Sequence, residues 1–370
     1  EMCIRDRGEE LNLSLETIKY VVSRLESFDL SNIDEDLNGR MFEIFLRAAV
    51  RGRELGQYFT PRDVVKFMVK LAQPNEHTKV IDACCGSGGF LIESLAYMAN
   101  NLPKNISGQK KDELLKKIRE DLIIGIDKEE KVSRLARINM YVHKDGSSKI
   151  FRLKDALDKN LDIDPTLTEE EQQQYLEAKE TLINNSFQIV LTNPPFASNY
   201  TVDDKKGKNT ENKGDKILND YTVIGKKNSI NSNILFIERY YDLLEEGGKL
   251  ITVIDDSLLN AKNQELYRKW ILERFHIKAV ISLPFNTFTN ASTTIKTSIV
   301  YLEKKKYQAT SNGKIFMAIC NNVGHDDSGK NTPERNNLNR VYDKWLDFIK
   351  NDSIEDSMIE NQDNREMLTC

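Results

Sequence analysis

The chain has 370 residues, 39% hydrophobic and 8% aromatic, with a formal net charge of −5, enough for a core larger than one typical domain. No apolar run approaches the roughly 20 residues that span a bilayer, no charged start leads into an apolar stretch with a cleavage site, and Cys3, Cys84, Cys85, Cys320 and Cys370 form no CxxC pair. Membrane insertion, secretion, a disulfide framework and a metal site are therefore disfavoured, a cytoplasmic enzyme is expected, and the acidic balance argues against gripping duplex DNA alone, where phosphate contacts supply most of the affinity.

Residues 1–10 carry no readable pattern, do not begin with Met and are read as the edge of a fragment. After Ser14, a good N-cap, Leu15, Ile18, Val21, Val22, Leu25 and Phe28 recur at helical spacing, and a second helix is expected around 40–50. Residues 1–55 thus form a short N-terminal helical segment. Thr60-Pro61-Arg62-Asp63 reads as a helix start, with Thr60 as cap, Pro61 at the first helical position and Asp63 against the positive end of the dipole.

From residue 79 short apolar runs alternate with amphipathic ones. Strands are expected at 79–83, 122–127, 148–152, 187–192, 249–255, 277–283, 297–303 and 314–318, and helices at 89–99, 129–142, 233–244 and 263–275. This alternation predicts an α/β fold: a mostly parallel sheet of seven or eight strands with helices on both faces. The last two strands lack a helix between them and are expected to form an antiparallel hairpin at one edge. Polar stretches 100–121 and 161–185 read as insertions carrying a charged helix each, and 199–231, rich in Lys, Asn, Gly and Asp, as a mobile loop. The main domain is expected over 56–320, followed by a polar tail, 321–370, with one helix around 341–349.

Val80-Ile81-Asp82-Ala83-Cys84-Cys85-Gly86-Ser87-Gly88-Gly89-Phe90 runs from a strand through a glycine-rich turn into a helix. Gly86, Gly88 and Gly89 permit a tight turn and close ligand approach at the carboxyl end of a strand, where open α/β sheets bind ligands; the alternative is a plain strand–helix turn. Asp127, ending the next strand, is placed to bond both hydroxyls of a ribose, or else to cap the helix that follows. The turn lacks the Gly-x-Gly-x-x-Gly spacing of dinucleotide folds, which leaves a different nucleoside cofactor. Asp155, past the third strand, can receive the amino group of a cofactor adenine or be an ordinary loop acid.

The decisive signal is Asn193-Pro194-Pro195-Phe196 at the end of the fourth strand. The lone pair of an adenine amine is delocalised into its ring, so the nitrogen is a poor nucleophile. Acceptors at its two hydrogens, the Asn193 side-chain oxygen and the Pro194 carbonyl, favour a pyramidal nitrogen with an available lone pair. Neither proline donates a competing hydrogen bond. Phe196 offers a face on which a flipped base can stack, the alternative being a proline-rich loop over a buried Phe.

Together these residues resemble the modification subunit of type I restriction–modification systems, an adenine-specific DNA methyltransferase, over roughly residues 38–303. Gln57, Tyr58, Phe59, Thr60, Pro61 and Arg62 match its first motif, which contacts the methionine end of the cofactor. Asp82, Gly86, Ser87, Gly88 and Gly89 match the cofactor motif, Asp127 the ribose acid, and Asn193, Pro194, Pro195 and Phe196 the catalytic motif. Residues 233–239, 246–248 and 296–298 also look like that family. Ala83 and Cys84 depart from its usual Pro and Ala, and the family's N-terminal helical domain is normally longer, so the chain looks truncated at its front. The resemblance implies the Rossmann-like S-adenosylmethionine-dependent fold, S-adenosylmethionine as cofactor, and double-stranded DNA as substrate. It implies as partners a specificity subunit and a second modification subunit, with a restriction subunit as a further one.

Cytosine ring methylation needs a nucleophilic Cys after a Pro, and no Pro here is followed by Cys. Two other readings stay open: methylation of a protein glutamine amide or of RNA, and a non-catalytic DNA-binding scaffold that has kept the fold. Phe196 and the 56–62 motif favour adenine in DNA over the first. The intact Asp82, Asp127 and Asn193–Phe196 set argues against the second.

Overall fold

A computed structural model describes residues 14–26, 60–143, 145–196, 198–201, 217–225, 228–291, 295–306, 313–326, 330–355 and 368–369. The expected helix at 40–50, the residues Gln57, Tyr58 and Phe59, and most of the Lys-rich loop lie outside them. The chain divides into two units, Glu1–Gly52 and Arg53–Cys370. Described in the first is α1 (Leu15–Leu25), whose start is fixed as expected by Ser14, accepting from the Thr17 N–H at 3.1 Å.

The second unit is built on a nine-stranded sheet: β1 (Val80–Asp82), β2 (Ile123–Asp127), β3 (Lys149–Arg152), β4 (Phe187–Thr192), β7 (Leu244–Asp255), β8 (Phe275–Ser282), β9 (Thr297–Lys304), β10 (Phe316–Ile319) and β11 (Leu368–Thr369). A separate ribbon pairs β5 (Asn199–Thr201) with β6 (Ser229–Asn231). The order across the sheet is β11-β10-β8-β9-β7-β4-β1-β2-β3.

The strands form because they are runs of β-branched and aliphatic residues that can be buried on both faces, as helix-covered parallel sheets require. Their alternation divides the core cleanly. Val80, Ile189, Leu191, Ile251 and Val253 face one layer, Ile81, Val190, Leu250 and Ile254 the other. The first layer is covered by α2 (Arg62–Ala72), α3 (Gly89–Asn100), α5 (Glu130–Val142) and α10 (Leu338–Glu355). The second is covered by α6 (Glu169–Thr181), α7 (Ser232–Leu243) and α9 (Glu265–Arg274), with the short α8 (Ser257–Asn260) before α9. The two expected insertions carry α4 (Gly108–Lys117) and α6, the latter started by a Thr168–Glu171 capping box. No described helix is long and apolar enough to cross a membrane.

One expectation about the sheet is corrected. The antiparallel strand exists, but it is not half of a terminal edge hairpin: β9 inserts between β7 and β8, antiparallel to both, while β10 runs parallel to β8. Among the described residues between β8 and β9 there is one 3₁₀ segment and no crossover helix, which suits an antiparallel return. The nearly continuous burial of β9 suits an interior position, and half-exposed β10 sits near the edge. The helix expected around 341–349 spans Leu338–Glu355 as α10, and it docks on the sheet. Leu338, Val341 and Trp345 of α10 are buried, and the Trp345 ring meets Phe316 at 5.6 Å and Tyr301 at 5.7 Å. A single apolar stripe spaced along an otherwise polar helix is enough to dock it.

Candidate active site

The carboxyl ends of β1, β2 and β4 lie side by side, because β1 pairs in parallel with both β2 and β4. After β1 the backbone turns through Gly86 (φ 55°) and Gly88 (φ 84°), left-handed conformations that favour glycine, and α3 begins at Gly89. No atom lies within 4 Å of where a Gly86 side chain would start, so the turn leaves space on that side.

Three groups hold this turn. Asp82, 1% exposed, accepts through Oδ1 from the Cys84 N–H at 3.0 Å and the Thr192 hydroxyl at 2.8 Å. Burial pushes its carboxyl up to about 7 against the pull of those two bonds, and the nearby Asp127 adds to the rise. Thr192 Oγ1 is 3.0 Å from the Tyr240 hydroxyl, which ties β1, β4 and α7 together. Asp127 accepts from the Gly86 N–H at 3.1 Å through Oδ2 and from the Glu129 N–H at 2.9 Å through Oδ1. It thus braces the turn and the approach to α5, whose cap position belongs to Glu129, and each oxygen keeps a lone pair for a ligand hydroxyl. Asn139, on the buried face of α5, donates to the Ser87 carbonyl at 2.8 Å. Burial pushes the Cys84 and Cys85 thiols well above their ordinary range, which favours the protonated form.

Asp155 accepts from the Leu157 N–H at 2.9 Å and, through Oδ2, from the Tyr200 hydroxyl at 2.6 Å. Each of its oxygens accepts one bond and, like those of Asp127, keeps a lone pair that a ligand amine can use. Burial and the adjacent Asp155 push the Tyr200 phenol far up, so it remains a donor.

The turn after β4 is held differently. Asn193 Nδ2 donates to Thr60 Oγ1 at 3.1 Å, while its Oδ1 is buried with no hydrogen-bond partner. Asn231 donates to the Phe196 carbonyl at 2.6 Å, and Ser232 Oγ to the Pro195 carbonyl at 2.9 Å. Asn231 also caps α7 by accepting from the Asn233 N–H at 3.1 Å. Neither loop anchor uses the Pro194 carbonyl. The arrangement can receive a ligand N–H at the Asn193 oxygen.

The expected cap is corrected here: α2 begins at Arg62 with Pro61 at the cap position, and the Thr60 hydroxyl serves Asn193 instead. Phe196 is 6% exposed and its ring is packed into the core, so its face is closed in this arrangement. Sequence reasoning missed Thr192, Asn139, Tyr200, Asn231, Ser232 and Tyr240. Two of them carried a signal: Asn231 is a good cap directly before a predicted helix, and Asn139 is an amide on the apolar stripe of Val132, Ala136 and Met140.

Residues 33–364 match the N-6 DNA methylase family. A type II restriction enzyme and methyltransferase, RM.BcgI of Heyndrickxia coagulans, is 25% identical over 364 residues, 94% of this chain and 49% of that protein. The type I restriction enzyme EcoEI methylase subunit of Escherichia coli is 24% identical, covering 78% of this chain and 50% of its own length. The chain spans about half the length of these curated relatives. A type I restriction-modification system methyltransferase subunit from Streptococcus thermophilus superposes with a TM-score of 0.60 at 19% identity, covering 90% of this chain and 62% of that one, a likeness of fold.

Proposed function

The chain belongs to the N-6 DNA methylase family, and from that premise we propose that it transfers a methyl group from S-adenosylmethionine to the exocyclic amine of adenine in double-stranded DNA, as the modification subunit of a type I system. The observation that carries this reading is the buried, partnerless Asn193 Oδ1 at the end of β4, beside a carbonyl between two prolines. An orphaned buried acceptor costs about 1–3 kcal/mol, and a donor from a ligand relieves it.

The residues present fit the cofactor: space beside Gly86, two free lone pairs on Asp127, and a turn braced by Asp82 and Asn139. Gly86, Ser87, Gly88, Gly89 and Asp127 would hold it, with Asp155 at its base and the 57–62 segment at its methionine end. When bound it supplies an electrophilic methyl on sulfur. Asn193 Oδ1 and the Pro194 carbonyl accept from the two hydrogens of the target amine and free its lone pair for attack. Phe196, packed into the core here, is the aromatic residue of this turn on which a flipped base would stack.

Target choice is assigned to a separate specificity subunit, with a second modification subunit completing the assembly. A chain of net charge −5 with no basic, periodic segment suited to a groove is poorly equipped to read bases itself. The test is methyl transfer to a mixed duplex pool, with modified adenines mapped, by the chain alone and with its specificity subunit. Site-selective N6-methyladenine is expected only with the partner. Methylation of a glutamine peptide or RNA in preference to the duplex would contradict the substrate. Sequence-selective methylation by the chain alone would contradict the division of labour.

A further inference from the structure

Thr60 stands directly before Pro61, and α2 does not use its hydroxyl, because the cap position belongs to Pro61. Its recorded partner is the Asn193 amide nitrogen, 3.1 Å away. The two ends of a side-chain amide are nearly the same size, so packing alone does not decide which end faces a ligand. The Thr60 hydroxyl, which can donate or accept, takes the nitrogen end here. With the nitrogen held at Thr60, the oxygen is left buried and partnerless. A reversed amide would turn an N–H toward the incoming amine, donor against donor.

We propose that Thr60 is a positioning residue for methyl transfer: its hydroxyl, bonded to Asn193 Nδ2, holds the side chain in place with Oδ1 left for the target amine. This rests on the adenine methyltransferase reading above. It also gives the 56–62 motif a role at the acceptor side of the reaction, distinct from holding the methionine end of the cofactor.

The test replaces Thr60 by Val, which keeps the shape and loses the acceptor, and by Ser, which keeps it. The full chain is used, with whichever partner subunit the wild type needs. In Thr60→Val, turnover at saturating S-adenosylmethionine should fall about tenfold, the usual effect of one lost orienting bond. The cofactor dissociation constant, read by calorimetry, should stay at the wild-type value, and Thr60→Ser should restore turnover. In an Asn193→Ala background, Thr60→Val should have no further effect. With ¹⁵N-labelled asparagine, the Asn193 amide protons should be protected from exchange in the wild type and Thr60→Ser, and unprotected in Thr60→Val.

Wild-type turnover in Thr60→Val overturns the proposal. So does weakened cofactor binding with turnover kept, which makes Thr60 a cofactor contact, or an additional loss on top of Asn193→Ala. Should the wild type transfer no methyl to adenine, the functional reading fails instead, and the amide-proton signature still decides whether Thr60 holds Asn193.

Discussion

The turn after β1 and the turn after β4 sit at adjacent strand ends, yet they are finished differently. Around the first, Asp82 takes two bonds, Asp127 takes two backbone N–H groups, and Asn139 holds the Ser87 carbonyl. Around the second, the backbone is pinned by Asn231 and Ser232, but the functional side chain is left with one end bonded and the other bare. The difference separates two tasks. A cradle must keep its shape with or without a ligand, so its two carboxylates are satisfied internally, although the Asn139 oxygen beside it is also buried without a partner. A group that activates a substrate must keep an acceptor in reserve, at a cost in stability that only the substrate removes.

Changes at either turn should therefore have separable effects. Asp127→Ala strips the brace from Gly86 together with charge-assisted bonds to a ribose. S-adenosylmethionine binding should weaken by about tenfold to a hundredfold, while turnover at saturating cofactor stays near wild type. An unchanged dissociation constant in a folded variant would remove Asp127 from the cradle. Asn231→Ala releases the Phe196 carbonyl and the α7 cap. Turnover should drop about tenfold with cofactor affinity preserved, and stability should fall by roughly 1 kcal/mol. A loss of affinity as large as the loss of turnover would show that the two turns are not independent.

The smallest effect is one of pH. The Asp82 carboxyl, raised to about 7 by burial, keeps in the folded chain a proton that the unfolded chain releases near the ordinary Asp value. Its contribution to stability is therefore full below about pH 4 and is lost as the pH climbs through about 7. Asp82→Asn carries no such charge, so its urea midpoint should gain on that of the wild type between about pH 5 and pH 8. A gap of the same size at both pH values would contradict the assignment.

What the sequence made legible was local. The runs Val80-Ile81, Ile189-Val190-Leu191 and Ile251-Thr252-Val253-Ile254 announce buried strands, and Gly86, Gly88 and Asn193-Pro194-Pro195 announce the turns after two of them. What it hid depended on partners distant in the chain. A period-two pattern gives no neighbour, so the interior position of β9 was invisible. Thr60 has the chemistry of a cap, and only the fold brings it to a residue 133 positions later. Phe196 was read by its chemistry as a platform, whereas its apolar ring sits in the core. Nothing local signals that Asp155 holds the Tyr200 hydroxyl. The helix around 341–349 was legible, but that Leu338, Val341 and Trp345 dock it on the sheet was not.

The central claim is that Asn193 serves the reaction and not the cofactor. The direct measurement is a paired one on Asn193→Ala: the S-adenosylmethionine dissociation constant by calorimetry, and the single-turnover rate of methyl transfer to duplex DNA in the presence of the specificity subunit. The predicted result is an affinity near wild type with a rate lower by on the order of a hundredfold or more. A near wild-type rate, or a loss explained by weakened cofactor binding, would contradict it.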